Sequence, residues 1–423
     1  MRAITFTMLT PLVFICFCLN LSVQLCSHSD TRTIICDNVV PFTLPSNVTR
    51  VYINIFSVDT DFNATTFSHK SWRTVTFLDI AAQYKNGYGD IIVTFGSMCF
   101  SQIHALKQLR IHGNQIKEFS LDSFDRVEHL QQLQVSETSS LDMNIVIEAL
   151  STVNITVETL SLNDILSATD RNMLCLNDLF FELLHKMTVT SLNLRKTIFK
   201  VDNLQHRQIQ SKHIDTLDIS HTNMMAPNIF DFQTMHIYVS FFQGLKTLNI
   251  SSSPLLFSLP DNEYLNDKII RNCDEFHVNF QRLIQILSLS VENLYSNRLF
   301  RDTVITNNAL LNISDCDFRM KTWHFRENKM QYLNISVYLP QNNTLREVDF
   351  SKNEIKYLSP LALHTAKSLE ILKLTSNELF YMEVSPDFND LLATFTALRH
   401  FSIADNKISN LPRDIFRNNA ALE

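Results

Sequence analysis

The residues of this chain best suited to covalent chemistry are asparagines and cysteines. Asn-X-Ser/Thr sequons, the acceptors of N-linked glycans, stand at Asn47, Asn63, Asn154, Asn249, Asn312, Asn334 and Asn342. Three share one setting, with Asn249 between Leu248 and Ile250, Asn312 between Leu311 and Ile313, and Asn334 between Leu333 and Ile335. In a strand that alternation buries the Leu and Ile and turns the Asn outward. Of the 8 Cys, Cys16 and Cys18 fall in an apolar N-terminal segment, leaving Cys26, Cys36, Cys99, Cys175, Cys273 and Cys316. Cys273-Asp-Glu-Phe-His277 resembles half a metal site, but no second Cys/His pair accompanies it, so a disulfide or surface loop is expected there. No GxSxG, HExxH or CxxC occurs, and the expectation is no catalytic residue, no metal and no cofactor. Gly is scarce at 5, and Gly87-Tyr88-Gly89 has Ile92 where a phosphate loop would need its third Gly.

The elements that carry these residues are set by a repeat. In Leu106 to Val135, apolar residues fall at Leu106, Leu109, Ile111, Ile116, Phe119 and Phe124, and the spacing restarts at Leu130, 24 residues on. That is the period of a leucine-rich repeat. Leu109 and Ile111 point to one face of a short strand, while Gln108, Arg110 and His112 point to the other. The chain turns at Gly113-Asn114, where an Asn side chain can satisfy backbone groups left without partners by the bend. Asn353, Asn377 and Asn406 take the same place in LREVDFSKNEIKYL, LEILKLTSNELFYM and LRHFSIADNKISNLPRDIF, so with Asn114 they form an expected asparagine ladder. One such coil cannot cover its own apolar side chains, which requires neighbours on both sides. The expected architecture is an α/β solenoid, a leucine-rich repeat horseshoe with a parallel β-sheet on the concave face and irregular or short helical convex segments.

Residues 1–25 read as a secretory signal peptide, with an uncleaved signal anchor as the alternative, so the remainder is expected outside the cytosol. Residues 26–47 read as an N-terminal cap and 48–423 as the solenoid, truncated within its last repeat. Cys26 and Cys36 stand where the first coil must be covered, and a capping disulfide is expected there. The other four cysteines are compatible with several pairings or with buried thiols, except that Cys316 takes a turn position and reads as structural. The first repeat strand is expected to bury Val48, Val51 and Ile53, and the second to start at Trp72 with Val75 and Phe77 inward. Later strands are expected from Val157, Val189, Ile214, Leu245 and Ile284. Strands also read from Asn308 and Met330, but Met330 to Leu345 is only 15 residues, too short for a coil, so one assignment there fails.

LPSNVTRVYI after a cysteine pair, followed by repeats of the form LxxLxLxxNxIxxF, resembles the N-terminal half of a Toll-like receptor ectodomain. Irregular repeat lengths, the many sequons and the 31 Phe favour that branch over other repeat proteins. The resemblance implies recognition of a microbial or endogenous ligand on the solenoid surface, followed by pairing of two receptors. It also implies a C-terminal cysteine-rich cap, a membrane helix and a cytoplasmic signalling domain, none of which the sequence contains, so a fragment is expected and membrane attachment would come through that missing region. The alternative is an extracellular adhesion or matrix protein of the same fold without a signalling domain.

Candidate ligand contacts are the basic outward residues Arg110, His112 and Arg195, set among small polar positions such as Thr159, Ser161, Thr216, Ser220 and Ser402, with an acidic spot at Glu347 and Asp349. Net charge is −7 without a basic stripe, which does not support nucleic acid as the partner yet leaves it open. Glycans on Asn249, Asn312 and Asn334 would crowd the concave surface, so a partner is expected on a flank or on the concave face before Leu245.

Overall fold

The structure is a computed structural model that describes residues 26–85, 87, 90–165, 174–201, 214–224, 245–253, 291–298, 319–333, 343–358 and 363–423. The signal segment, Cys273, His277, Cys316, Asn312, Asn334, Asn342 and the strands expected from Ile284 and Asn308 lie outside these residues. The chain divides into two compact units, Met1–Ser161 with Ile165–Met173, and Leu162–Asp164 with Leu174–Glu423.

In the first unit the strand Cys26–His28 runs antiparallel to Thr33–Asp37, with Cys26 opposite Cys36. Thr33–Asp37 then begins a parallel series through Arg50–Ile55, Phe77–Ala82, Gln108–His112, His129–Ser136 and Thr156–Ser161. Strand register explains the core. Val51, Leu78, Leu109 and Leu133 lie side by side, as do Ile53, Ile80, Ile111 and Val135, and all are fully buried. The arc that returns each coil carries a second parallel sheet of Thr60–Phe62, Val93–Phe95 and Ile116–Phe119. Its inward side is aromatic. Phe62 stacks on Phe95 at 5.0 Å and Phe95 on Phe119 at 4.6 Å, while Phe67, Phe100 and Phe124 form a parallel column at 6.3 and 5.7 Å. Offset stacking at these distances adds to the burial of apolar area. Gly113, at φ +124°, belongs to this unit's turn; a Cβ there would meet the Ala82 carbonyl oxygen at 2.0 Å, which excludes every other residue.

The return arc becomes helical only where the sequence permits it. Met143–Thr152 is an α-helix capped by Asp142, whose carboxylate accepts the Asn144 N–H at 2.9 Å, and it buries Met143, Val146, Ile147, Ala149 and Leu150. In the second unit Asp178–Lys186 is the corresponding helix, capped by Asn177.

The second unit repeats the coil with three-residue strands. Ser191–Asn193, Thr216–Asp218, Thr247–Asn249, Asn293–Tyr295, Thr322–His324, Glu347–Asp349, Ile371–Lys373 and His400–Ser402 pair in parallel, each with the next. Their middle residues, from Leu192 to Leu372, face the core.

Two expectations need correction. Phe77 is not an inward residue: it pairs with Arg50 and Gln108 on the outward row, while Leu78 and Ile80 enter the core, so the second repeat starts at Val75. A one-residue shift of register moves every side chain to the other face. The conflict near Met330 also resolves. Thr322–His324 is the coil strand there, and Tyr332–Leu333 belongs to the return arc, where it pairs with Tyr357–Leu358 in a separate two-stranded sheet.

Candidate ligand-binding face

Parallel strands in register turn the alternation of each repeat into rows across the sheet. In the first unit one outward row reads Thr33, Arg50, Phe77, Gln108, Gln132 and Thr159, and the next reads Ile35, Tyr52, Asp79, Arg110, Gln134 and Ser161. Phe77 is 3% exposed although it faces outward, because two guanidinium groups lie over it. Arg50 Cζ stands 4.5 Å and Arg110 Cζ 5.4 Å from the ring centroid, and Tyr52 packs beside the ring at 5.1 Å. Arg50 also donates to the Tyr52 hydroxyl at 3.1 Å. Among the described residues no carboxylate lies within 4.0 Å of either guanidinium, and the buried Nε of Arg110 has no hydrogen-bond partner.

His112 sits one row further on. Its Nε2 is 2.8 Å from Asp79 Oδ1 and its Nδ1 3.8 Å from Glu137 Oε2. Burial works against the imidazolium, but the hydrogen bond and charge of Asp79, with Glu137 behind, outweigh it and raise the pKa above the ordinary histidine value. Arg110 and His112 are thus brought onto one face. Arg195 belongs to the second unit, where it is exposed. Arg50, Tyr52 and Phe77 escaped the sequence reading because that reading placed Phe77 in the core; the signal was the Arg50-Val51-Tyr52-Ile53 alternation.

The outward face of the second unit is occupied differently. Glu347 and Asp349 do not form a free acidic spot: Glu347 holds Lys373 at 2.8 Å and His324 at 3.1 Å, and Arg326 lies 3.7 Å from Asp349. Arg298 pairs with Glu327, Lys321 with Glu292, Arg346 with Glu370 and Lys246 with Asp215. Asn249 holds an outward position beside Asp218, donates to its carboxylate at 3.1 Å, and accepts the Ser251 N–H.

Asn353, Asn377 and Asn406 are buried at the turns. Asn377 donates to the Phe350 carbonyl of the preceding coil at 3.1 Å and to its own Leu374 at 2.9 Å, and accepts the Ile355 N–H at 3.1 Å. Asn353 and Asn406 repeat this pattern, and Asn328, which the sequence reading missed, donates to Ser296 and Arg326. Thr197, Thr222 and Ser253 fill the same place with hydroxyls. Asn114 departs from the pattern: it is exposed, and Gln115 is the buried residue of that turn.

Cys26 and Cys36 are joined at an S–S distance of 2.10 Å. Cys99 is a buried thiol whose pKa burial pushes up, and Cys175 is buried in the second unit. Asn47 is exposed and donates to the Thr31 carbonyl, Asn154 is exposed, and Asn63 accepts hydrogen bonds from Thr65 N–H and hydroxyl at 3.0 and 2.7 Å. None of these three sequons lies in the outward rows of the first unit. Among the described residues no group of three His, Cys, Asp or Glu could hold a metal ion, and no helix is long and apolar enough to cross a membrane.

No model of a known protein family matches the sequence, and no curated protein matches it. Solved structures do. The Drosophila Toll–Spatzle complex is similar at 12% identity and a TM-score of 0.56, over 94% of this chain and 46% of that one, so this chain spans about half of Toll's length. A Leptospira interrogans leucine-rich repeat protein is similar at 15% identity and a TM-score of 0.46, over 93% and 89% of the two chains. TLR13 in complex with the RNA ssRNA13 is similar at 12% identity and a TM-score of 0.38, over 92% and 68%. The repeat spacing, the in-register parallel strands, the turn asparagines and the likeness to Toll agree: this chain has the leucine-rich repeat fold.

Proposed function

We propose that this chain is the extracellular, non-catalytic ligand-binding region of a Toll-like pattern-recognition receptor, and that it takes its ligand on the outward sheet face of the first unit. The observation that carries the choice of face is that Arg50 and Arg110 lie over one ring without a carboxylate partner, while Arg298, Arg326, Arg346 and Lys373 of the second unit each meet one. Gln108, Gln132 and Gln134 add amides on the same rows, and no sequon interrupts them. Neutralised charges have little to offer a partner, whereas fixed unmatched ones set orientation and specificity. A sequon at Asn249 supports the same division, since a glycan there would stand on the second unit's face.

The Cys26–Cys36 disulfide fits an oxidising compartment, the cell surface or an endosomal lumen for a receptor. Ligand capture followed by pairing of two receptors is the expected mode of action. The receptor assignment is tested by reading the native transcript past Glu423. A membrane-spanning segment followed by a Toll/interleukin-receptor-type domain is the expected result, and a stop codon or a lipid-anchor signal overturns it in favour of an adhesion or matrix protein.

A further inference from the structure

We propose that Arg50 and Arg110, seated on Phe77, bind carboxylates of an acidic polypeptide segment laid across the first unit's sheet. This rests on the reading of that face as the ligand face and names the chemistry it takes. A guanidinium that stacks on an aromatic ring keeps its in-plane N–H groups at the edge, where they match a carboxylate two at a time. Stacking also holds the side chain in one geometry before any ligand arrives, which removes much of the ordering entropy that a long flexible cation otherwise loses on binding. Arg50 and Arg110 reach this one ring from the two strands that flank Phe77–Ala82. The charged pair nearby, His112 with Asp79, is closed on itself.

The surroundings choose among anions. A nucleic acid presents a dense, regular charge and calls for a basic stripe, whereas this face offers two unpaired cations, neutral amides and the carboxylates of Asp79 and Glu137 beside His112, on a chain of net charge −7. Gln108, Gln132 and Gln134 each carry donors and acceptors, as a peptide backbone does. Sparse carboxylates on an amide-rich chain fit both features.

The test uses the secreted, glycosylated chain and fluorescence anisotropy with four labelled probes: a peptide of alternating Glu and Gly, its Gln/Gly counterpart, an oligothymidylate and a sulfated oligosaccharide. The Glu peptide is expected to bind, and its Gln counterpart at least about tenfold more weakly. Arg50→Gln and Arg110→Gln are each expected to weaken Glu-peptide binding about tenfold, with a small drop in the thermal melt from the lost cover over Phe77. Arg50→Lys and Arg110→Lys keep the charge but not the fork, and are expected to fall between, which separates binding from any folding defect. Gln132→Asn with Gln134→Thr creates a glycan acceptor on the face and is expected to abolish binding. No binding of the Glu peptide, or tighter binding of the oligothymidylate or the sulfated sugar, overturns the carboxylate assignment and leaves the choice of face standing. Binding blocked by the glycan but indifferent to the arginines overturns the roles of Arg50 and Arg110 alone. Peptide binding that survives the glycan overturns the choice of face with it.

Discussion

The two units build the same coil with different materials. Both carry a second sheet on the return arc, but the first uses strands of five to eight residues from Thr33–Asp37 to Thr156–Ser161 and columns of stacked phenylalanines. The second uses three-residue strands and closes its last turns with buried asparagines. Its aromatic contacts include edge-on ones, such as Trp323 with Phe350 at 5.0 Å. A short strand leaves more backbone N–H and C=O groups at the bend, and a side chain that both donates and accepts is the compact remedy. In the first unit the return-arc strand Ile116–Phe119 turns Phe119 inward to extend the aromatic column. The contrast extends to the surface. On the second unit's face Arg298, Arg346 and Lys373 each meet a carboxylate, and Arg50 and Arg110 on the first do not.

The largest effect expected from breaking this contrast is in the first unit. Phe100→Ala removes a ring 1% exposed that stacks on Phe67, Phe95 and Phe124, and should cost about 3–5 kcal/mol in urea unfolding. Next comes the second unit's ladder. Asn377→Ala strands the buried Ile355 N–H and takes one of two side-chain donors from each of the Phe350 and Leu374 carbonyls, which Asn353 and Asn406 still reach, for an expected loss of about 1–3 kcal/mol. Asn114→Ala, at the position the sequence pattern equates with it, should cost less than about 0.5 kcal/mol by the same measurement, because Asn114 is exposed.

That pair of asparagines marks how far the sequence was legible. The repeat spacing located most strands, and LxxLxLxxN located the turns of the last coils, because each apolar residue there has one face to choose. It failed at Phe77 and Asn114 for physical reasons. Cover by two arginines buries an outward Phe as well as any core does, and the turn after Gly113 sends Asn114 to solvent and Gln115 inward. It failed at Met330 because Met-Gln-Tyr-Leu-Asn-Ile reads as a coil strand, whereas Met320, Trp323 and Phe325 supply the core there. The candidate site was half legible: Arg110 and His112 were visible as outward residues, but cross-strand register was needed to add Arg50 and Tyr52.

Smaller effects sharpen the electrostatic side of the comparison. Burial disfavours the charge of Glu347, but hydrogen bonds from Lys373 and His324 prevail and hold its pKa below the ordinary value. Lys373 is 40% exposed, so water screens the pair and Lys373→Gln should cost less than about 1 kcal/mol. In the first unit the raised pKa of His112 means that the folded state binds the proton more tightly. Its contribution is complete below the unfolded value near pH ~6.5 and vanishes as pH rises through the folded value. The Tm gap between the native chain and His112→Gln should therefore be wider at pH 5.5 than at pH 8, as followed by circular dichroism.

The central claim, that Arg50 and Arg110 are open to a ligand while Arg298 and Arg346 are held by their own carboxylates, is measured most directly by arginine labelling. Phenylglyoxal modification followed by mass spectrometry, with and without the Glu/Gly peptide, should mark Arg50 and Arg110 before Arg298 and Arg346 and show the peptide protecting only the first two. Faster labelling of Arg298 and Arg346, or protection that falls on them instead, would contradict it.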